Sequence, residues 1–285
     1  MKSILFLIFV CISICCRGNA IDNLKTLDDV KAFIKDKLKG DEQIDFFETK
    51  KRVPPTRLSN LKFLKIDLNS DGLTDLLING TYLFAIVDNG NGNFEASFID
   101  RRSFMNKKYT LAHILVSDKQ PKVIVKAFRD EFNPEKAYIS DTLVYKYGGF
   151  VDYTKKPEAL YIEKISFSTS GCYGTCPVFE LSVNIDGTAT FDAEEFNDLK
   201  GNFTGSIEKQ VLDALFNLVN YIGVGHLKDR YKVNWTDDQT ADLTITYKNG
   251  TVKHISDYGL IGTFGLQRLY ELMFAFRLSQ KWKAI

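Results

Sequence analysis

Apolar residues along the chain change period several times, and each change marks an element. Leu27, Val30, Phe33, Ile34 and Leu38 recur at three- and four-residue spacing, which predicts one helix with a buried stripe. Thr26 stands where an N-cap belongs, Asp28 and Asp29 fill the first turn, and Lys35, Lys37 and Lys39 lead to Gly40. The charges complement the helix dipole and the glycine supplies a stop. Val53-Pro54-Pro55 interrupts the pattern, and from Leu61 the apolar runs become short and strand-like. Three pairs predict hairpins: Gly148-Gly149 between 142–147 and 150–153, Asp186-Gly187 between 178–185 and 188–191, and Asn249-Gly250 between 242–248 and 251–257. Such residues accept the positive φ of a tight turn. Within 178–185, Phe179, Leu181, Val183 and Ile185 share one face and Glu180, Ser182 and Asn184 the other, a half-buried strand.

Two longer helical patterns follow. The first takes Ser206 as N-cap, Ile207, Val211, Leu212, Leu215, Phe216, Val219 and Ile222 as its apolar face, and Gly223 as its stop. The second covers about 263–279, with Leu266, Leu269, Tyr270, Met273 and Phe274 spaced for burial. Wide apolar helix faces beside one-sided strands predict an α+β protein: a β-rich N-terminal region with one leading helix, then a C-terminal antiparallel sheet with two packed helices. Charge and proline in Thr154-Lys155-Lys156-Pro157 place the boundary, giving domains over 21–155 and 156–285.

Residues 1–20 precede both. Lys2, an apolar stretch from Ile4 to Ile14 and Gly18-Asn19-Ala20 form a secretory signal peptide too short in its apolar centre to span a bilayer. Cleavage after Ala20 is the favoured reading. Acylation of Cys16 is the alternative and would anchor the protein to the cell envelope, although Cys15 and Ile14 stand where lipoprotein cleavage wants a small residue. An uncleaved anchor is the third reading. The destination is therefore periplasmic or extracellular. Lys2 and Arg17 leave with the signal and no acid does, so 37 basic and 36 acidic side chains become a slight acidic excess. This lacks the clustered basic footprint of a nucleic-acid binder. With 45% hydrophobic residues the mature chain is long enough for a substantial core.

The strongest chemical signal is Asp67-Leu68-Asn69-Ser70-Asp71-Gly72-Leu73-Thr74-Asp75, with oxygen side chains at alternate positions and glycine sixth. Ca²⁺ needs six to eight hard oxygen ligands, and such a loop would offer Asp67, Asn69, Asp71 and Asp75 with the Leu73 carbonyl. An EF-hand would need an acid at the twelfth position, where this chain has Ile78, and the flanks 63–66 and 76–78 read as strands. The bland alternative is an Asp/Asn/Gly turn holding no ion. Together with Asn89-Gly90-Asn91-Gly92-Asn93-Phe94, the arrangement over 61–98 resembles a single FG-GAP or VCBS-type repeat of integrin-like β-propellers. The resemblance implies a calcium loop between strands of a blade-like sheet; one copy cannot close a propeller, and no adhesive role carries over.

Of five cysteines, only Cys172 and Cys176 survive removal of the signal. In an exported chain the ordinary reading is a structural disulfide, with Gly171 and Gly174 curling the loop. Redox chemistry usually uses Cys-x-x-Cys at a helix N-terminus, whereas three residues intervene here and a strand follows; a metal site and unpaired thiols are further alternatives. The run Gly171-Cys172-Tyr173-Gly174-Thr175-Cys176-Pro177 and its hairpin resemble a bacterial extracytoplasmic family catalogued as domain-of-unknown-function family 6438. That resemblance implies a domain and no reaction.

A triad of Cys172 or Cys176 with His254 and Asp257 can be written, but residues three apart on a strand face opposite ways. His113 and His226 have no partners at metal-ligand spacing, and no nucleophile elbow, phosphate loop or zinc-protease motif occurs. Glu194-Glu195 and Asp237-Asp238 read as solvated charge. Trp235, Tyr231, Tyr258 and Trp282 could line a ligand groove, against the commoner alternative of core or edge packing. The polar segment 226–240, containing Trp235, is the loop where recognition would be sought first. The reading that follows is an exported, non-enzymatic binding or interaction protein for a protein or glycan ligand, with a Ca²⁺-stabilised N-terminal region. The alternative is an exported hydrolase or thiol-dependent enzyme with a site assembled around His254 and Cys176.

Overall fold

A computed structural model describes residues 19–38, 62–80, 82–99, 109–117, 120–128 and 138–285. The expectations for Lys2, Cys15 and Cys16, for the Gly40 stop and for Val53-Pro54-Pro55 lie outside the described residues.

Helix α1 (Leu27–Lys37) begins at a reciprocal cap. The Thr26 hydroxyl accepts the Asp29 amide at 3.1 Å and the Asp29 carboxylate accepts the Thr26 amide at 2.8 Å. Its buried Val30, Phe33 and Ile34 lie on a four-stranded antiparallel sheet in the order β1 (Phe63–Ile66), β2 (Asp75–Asn79), β3 (Leu83–Asp88) and β4 (Phe94–Phe98). β3 is buried along its whole length because both its faces are covered. Ile21 and the α1 stripe pack on Leu76, Ile78, Phe84 and Ile86; Leu77, Leu83, Ala85 and Val87 pack instead on a second sheet.

That second sheet is again a four-stranded antiparallel meander: β5 (Tyr109–Ser117), β6 (Gln120–Phe128), β7 (Tyr138–Lys146) and β8 (Gly149–Asp152). The β7–β8 turn uses Tyr147 at φ 55° and Gly148 at φ 74°, one residue earlier than the glycine pair predicts, because Gly149 already pairs with Lys146 in the ladder.

The remaining strands build an eight-stranded sheet in the order β13 (Arg230–Lys232), β15 (Val252–Tyr258), β14 (Thr240–Tyr247), β9 (Ile162–Thr169), β10 (Phe179–Asn184), β11 (Thr188–Ala193), β12 (Gly201–Ser206) and β16 (Lys283–Ala284). Ile165, Phe167, Leu181, Val183, Leu243 and Ile255 cover one face with apolar side chains and bury them beneath α2 (Lys209–Tyr221) and α3 (Phe264–Ser279). The two helices also touch the second sheet. Val144 and Val151 join the cluster of the helices and large sheet, and Phe264, first residue of α3, joins the cluster between the two smaller sheets. The result is a β-dominated α+β fold in which the helix pair lies between the second and third sheets, while among the described residues no strand before residue 155 enters the eight-stranded sheet.

Three sequence expectations need correction. Ser206 is no cap: it pairs with Thr188 in the β11–β12 ladder, so its backbone is extended and α2 begins at Lys209 behind Glu208, without a side-chain cap bond. Ile185 lies past the end of β10 and is 54% exposed, so it leaves the buried face of Phe179, Leu181 and Val183. The large sheet is not wholly antiparallel, because β13 runs parallel to β15. α3 begins one residue later than read, at Phe264, with the Thr263 hydroxyl accepting the Leu266 amide at 3.2 Å as its cap, and Gly223 follows α2 at φ 60° as its stop.

Candidate functional site

Loop 67–75 closes between β1 and β2 through its own side-chain oxygens. Asp67 Oδ1 and Asn69 Oδ1 accept the Asp71 amide at 3.2 and 3.1 Å, Asp67 Oδ2 accepts the Gly72 amide at 2.9 Å, and Asp71 Oδ1 accepts the Leu73 amide at 2.8 Å. Ser70 at φ 63° and Gly72 at φ 88° make the curl. Asp75 is fully buried, one oxygen accepting Leu68 N–H at 2.7 Å and the other Asp88 N–H at 2.9 Å. Burial pushes its carboxyl up to about 6; the two amides oppose that, and the nearby charges of Asp71 and Asp67 add to it.

Among the described residues no three Asp, Glu, His or Cys side chains converge to hold a metal. The donor chemistry nevertheless suits a hard cation. Three carboxylates, a carboxamide and a backbone carbonyl are all oxygen ligands, and an oxygen that accepts one amide keeps a second lone pair. Burial is the main cause of the raised Asp75 carboxyl, and the charges of Asp71 and Asp67 make a smaller contribution to it.

Cys172 and Cys176 meet at disulfide distance, with Cα atoms 5.7 Å apart. Gly174, at φ 151°, sits between them and donates its amide to Cys172 O at 2.9 Å. This small loop is a brace for a neighbouring one. Tyr173 N–H donates to Asp237 O at 2.9 Å, Ser170 N–H to Thr240 O at 3.0 Å, and Thr240 N–H to Ser170 Oγ at 2.9 Å. The buried Gln239 side chain donates to Ser170 O at 3.0 Å and Pro177 O at 2.8 Å. Loop 233–239 is thereby fastened along its far side to the cysteine loop.

Its near side lines a groove of about 300 Å³ formed by Arg230, Tyr231, Lys232, Trp235, Thr236, Thr240, Ser256 and Tyr258. Register explains the convergence: Arg230 lies beside Ser256, and Lys232 beside Tyr258, which in turn lies beside Thr240. Side chains directly opposite in a ladder share a face. Trp235 is 41% exposed, and its Nε1 donates to Asp238 Oδ2 at 3.2 Å, which fixes the ring. Tyr258 Oη accepts the Asp238 amide at 3.0 Å, so the two aromatics are tied to one loop residue. Gly259 at φ 94° allows close packing, since a Cβ there would lie 2.6 Å from Val233 Cγ1. Arg230 and Lys232 are exposed, and among the described residues neither makes an ion pair. The surrounding acids are engaged: Asp229 pairs with Lys253, Asp238 holds Trp235 Nε1 and the Gln239 amide, and Asp237 accepts from the Thr236 hydroxyl.

Sequence reasoning pointed to segment 226–240 and to Trp235, Tyr231 and Tyr258; all three border the groove, but Tyr231 pairs with Asp257 and its side chain packs on the helix-side core. It missed Arg230 and Lys232, whose only signal was their i, i+2 spacing around Tyr231. Trp282 does not take part. Its ring lies against that of Phe191, centroids 5.1 Å apart and planes tilted by 38°, and its Nε1 donates to Phe276 O at 3.2 Å, near the opposite edge of the sheet. His254 faces Thr244 Oγ1 at 3.2 Å and Asp242 Oδ1 at 3.5 Å, while Asp257 points into the helix side and accepts Ile261 N–H at 2.9 Å and Gly262 N–H at 2.8 Å. Cys176 is engaged with Cys172. His226 pairs with Glu158.

Residues 163–277 match a family described as a domain of unknown function (DUF6438). The match takes in the eight-stranded sheet from β9 onward, both its helices, the cysteine loop and the groove, and ends before β16. No curated protein and no solved structure matches the chain.

Proposed function

We propose that this chain is an exported binding or interaction protein without a catalytic role, whose recognition surface is the groove between β13, β15 and loop 233–239. The observation that carries the reading is the combination in that groove of an exposed, hydrogen-bonded Trp235 with two exposed cations that have no ion-pair partner among the described residues. Surface cations near a fixed aromatic ring are a poor way to stabilise a fold and a good way to hold a ligand. The cysteine loop supports it by making the groove rigid before any ligand arrives, which lowers the entropic cost of binding.

In the same reading, Asp67, Asn69, Asp71 and Asp75, with the Leu73 carbonyl, hold Ca²⁺ and so stabilise the first sheet; the ion would neutralise the anionic charge collected there. The signal-like N-terminus and the pairing of the surviving cysteines support export to an oxidising compartment. The surface test is a ligand screen of the full chain across glycan and peptide arrays, with Trp235→Ala as control. Binding to a defined ligand class that disappears in the variant supports the groove. Binding indifferent to Trp235, or turnover of a substrate abolished by His254→Ala, overturns it.

A further inference from the structure

We infer that the groove takes a neutral oligosaccharide, its ring faces laid on Trp235 and Tyr258 and its hydroxyls bonded to Arg230, Lys232, Thr240 and Ser256. The inference rests on the groove being the recognition surface and adds the chemistry of the occupant.

Charge balance fixes the first property. Arg230 and Lys232 line the groove. Asp237 and Asp238, on the loop that frames it, keep their negative charges, because the Thr236 hydroxyl and the Trp235 indole that donate to them are neutral. Two cations beside two anions give no net field to draw a ligand of either sign. Past Ser256 the sheet face carries Asp242, which a polyanion leaving the groove would have to pass. A polycation would meet Arg230 and Lys232 first. Neither kind of chain is favoured, and an uncharged one is.

The rings fix the second. The Trp235 Nε1–H is taken by Asp238 Oδ2 at 3.2 Å, and Tyr258 Oη accepts the Asp238 amide at 3.0 Å. Both rings are thus held to one residue through their polar atoms, and what they offer a ligand is chiefly ring surface. A pyranose ring has an apolar C–H face to lay on such a surface and a rim of hydroxyls around it. The groove, of about 300 Å³, has room for about one or two such rings.

The polar rim decides between glycan and peptide. Among the described residues the side chains of Arg230, Lys232, Thr240 and Ser256 make no hydrogen bond, and Thr240 and Ser256 are half-buried. A ligand that covered these groups without bonding them would strand them out of water, at a cost that a hydroxyl-rich ligand avoids. Sugar hydroxyls both donate and accept, which matches two cationic donors and two protein hydroxyls. A proline-rich peptide also lies flat on aromatic rings, but its prolines offer carbonyl acceptors and no donors. A peptide added as a strand draws its affinity from backbone bonds along an open edge, and the edge strand here, β13, is three residues long.

The test uses the full chain and titration calorimetry at low and high salt, with cellohexaose, xylohexaose and chitohexaose as neutral probes and hexagalacturonate, hexaglutamate and hexaproline as their rivals. At least one neutral hexamer is expected to bind at least about tenfold more tightly than any rival, with an affinity that salt leaves unchanged. Trp235→Ala is expected to weaken that binding by at least about tenfold, Trp235→Phe by less because a ring face remains, and Arg230→Gln and Ser256→Ala by several-fold each. An unchanged melting temperature shows that these substitutions leave the fold intact. Hexagalacturonate bound more tightly than every neutral hexamer, with an affinity that falls as salt rises, overturns the neutral occupant. Preference for hexaproline or hexaglutamate makes the partner a peptide and overturns the glycan; if Trp235→Ala abolishes that binding, the groove stands as the recognition surface. No binding of any neutral hexamer overturns the inference. Binding of a neutral hexamer that is indifferent to Trp235→Ala overturns the groove reading along with it.

Discussion

Asp152, the last residue of β8, accepts the backbone amide of Gly265 in the first turn of α3 at 3.0 Å, and so ties the second sheet to the helix pair of the large sheet. A carboxylate at a helix N-terminus is favoured by the dipole and by the orphan amides there. Around it Arg268 Nε donates to Tyr147 O at 2.7 Å and Thr154 N–H donates to Tyr221 Oη at 3.1 Å. The hydrogen-bonded junction covers the valine contacts of β7 and β8 with the helices.

Gly265 itself is required by packing. Alanine in place of a helical glycine ordinarily stabilises by about 1 kcal/mol. Here an added Cβ would overlap the Ile222 Cγ2 methyl and lie 3.0 Å from its Cβ, just where α2 ends against α3. Gly265→Ala is therefore expected to destabilise by about 1–3 kcal/mol in urea unfolding, and Ile222→Ala in the same chain to lessen the penalty of the alanine. An alanine variant more stable than the parent would overturn this account.

Burial raises the Asp152 carboxyl above its ordinary 3.8, and the amides of Gly265 and Phe264 with the Thr263 hydroxyl only partly offset it. The folded state therefore holds this proton longer than the unfolded state does. Its stabilising contribution is complete below the unfolded pKa and is lost as pH rises through the folded one. The difference in unfolding free energy between the parent and Asp152→Asn should move against the parent as pH rises from about 4 towards neutrality. A difference that is flat with pH, or that moves in the parent's favour, would contradict the assignment.

The parts of this fold that were legible in sequence are those fixed by local chemistry. Gly187 and Gly250 take φ 88° and 83° in turns where Asp-Gly and Asn-Gly were read, and Thr26 caps a helix because a hydroxyl ahead of an apolar stripe has few other uses. Ser206 misled because the same residue type serves a strand when a nonlocal partner, Thr188, competes for its backbone. β13 was invisible: three residues, Arg-Tyr-Lys, carry no measurable alternation, and their parallel partner lies more than twenty positions away. That strand supplies both groove cations, so the aromatic half of the site could be read and the charged half could not.

Residues 156–285 are expected to fold without the first 155, since every described strand of the large sheet lies within them. The fragment would lose the cover that Val144 and Val151 give the helices, each worth about 1.5–3 kcal/mol when buried, together with the Asp152 and Tyr147 bonds. A cooperative melt at a midpoint well below that of the full chain is the expected result in calorimetry. An insoluble or molten fragment would mean that the helix pair needs both of its sheets and that the boundary at 155 is not a domain boundary.

Protein recovered from an oxidising compartment should carry the Cys172–Cys176 bridge without free thiol, as read by non-reducing peptide mass spectrometry. So small a loop gains only about 2 kcal/mol from the cross-link. The larger consequence lies at Trp235. The amide of Tyr173 and the carbonyls of Ser170 and Pro177 hold loop 233–239, so Cys172→Ser/Cys176→Ser should change the tryptophan emission and weaken ligand binding while leaving most of the melting temperature in place. Emission and affinity equal to those of the parent would show that the backbone bonds alone hold the loop.

Loop 67–75 gives the last test. Burial pushes the Asp75 carboxyl up to about 6, and the charges of Asp71 and Asp67 add to the rise. A divalent ion bound only by the folded chain adds stability that grows with its concentration, about 2.7 kcal/mol at one hundred times its dissociation constant. Millimolar Ca²⁺ should therefore raise the melting temperature above that in chelator, and Asp71→Ala should abolish the increment. Mg²⁺, which demands tighter octahedral geometry and gives up water reluctantly, should do less. Asp71→Ala also removes the acceptor of the Leu73 amide, so a lower baseline is expected with or without the ion. The telling quantity is the calcium increment within each variant. Equal midpoints for the parent in millimolar Ca²⁺ and in chelator would leave loop 67–75 as a turn closed by its own amides.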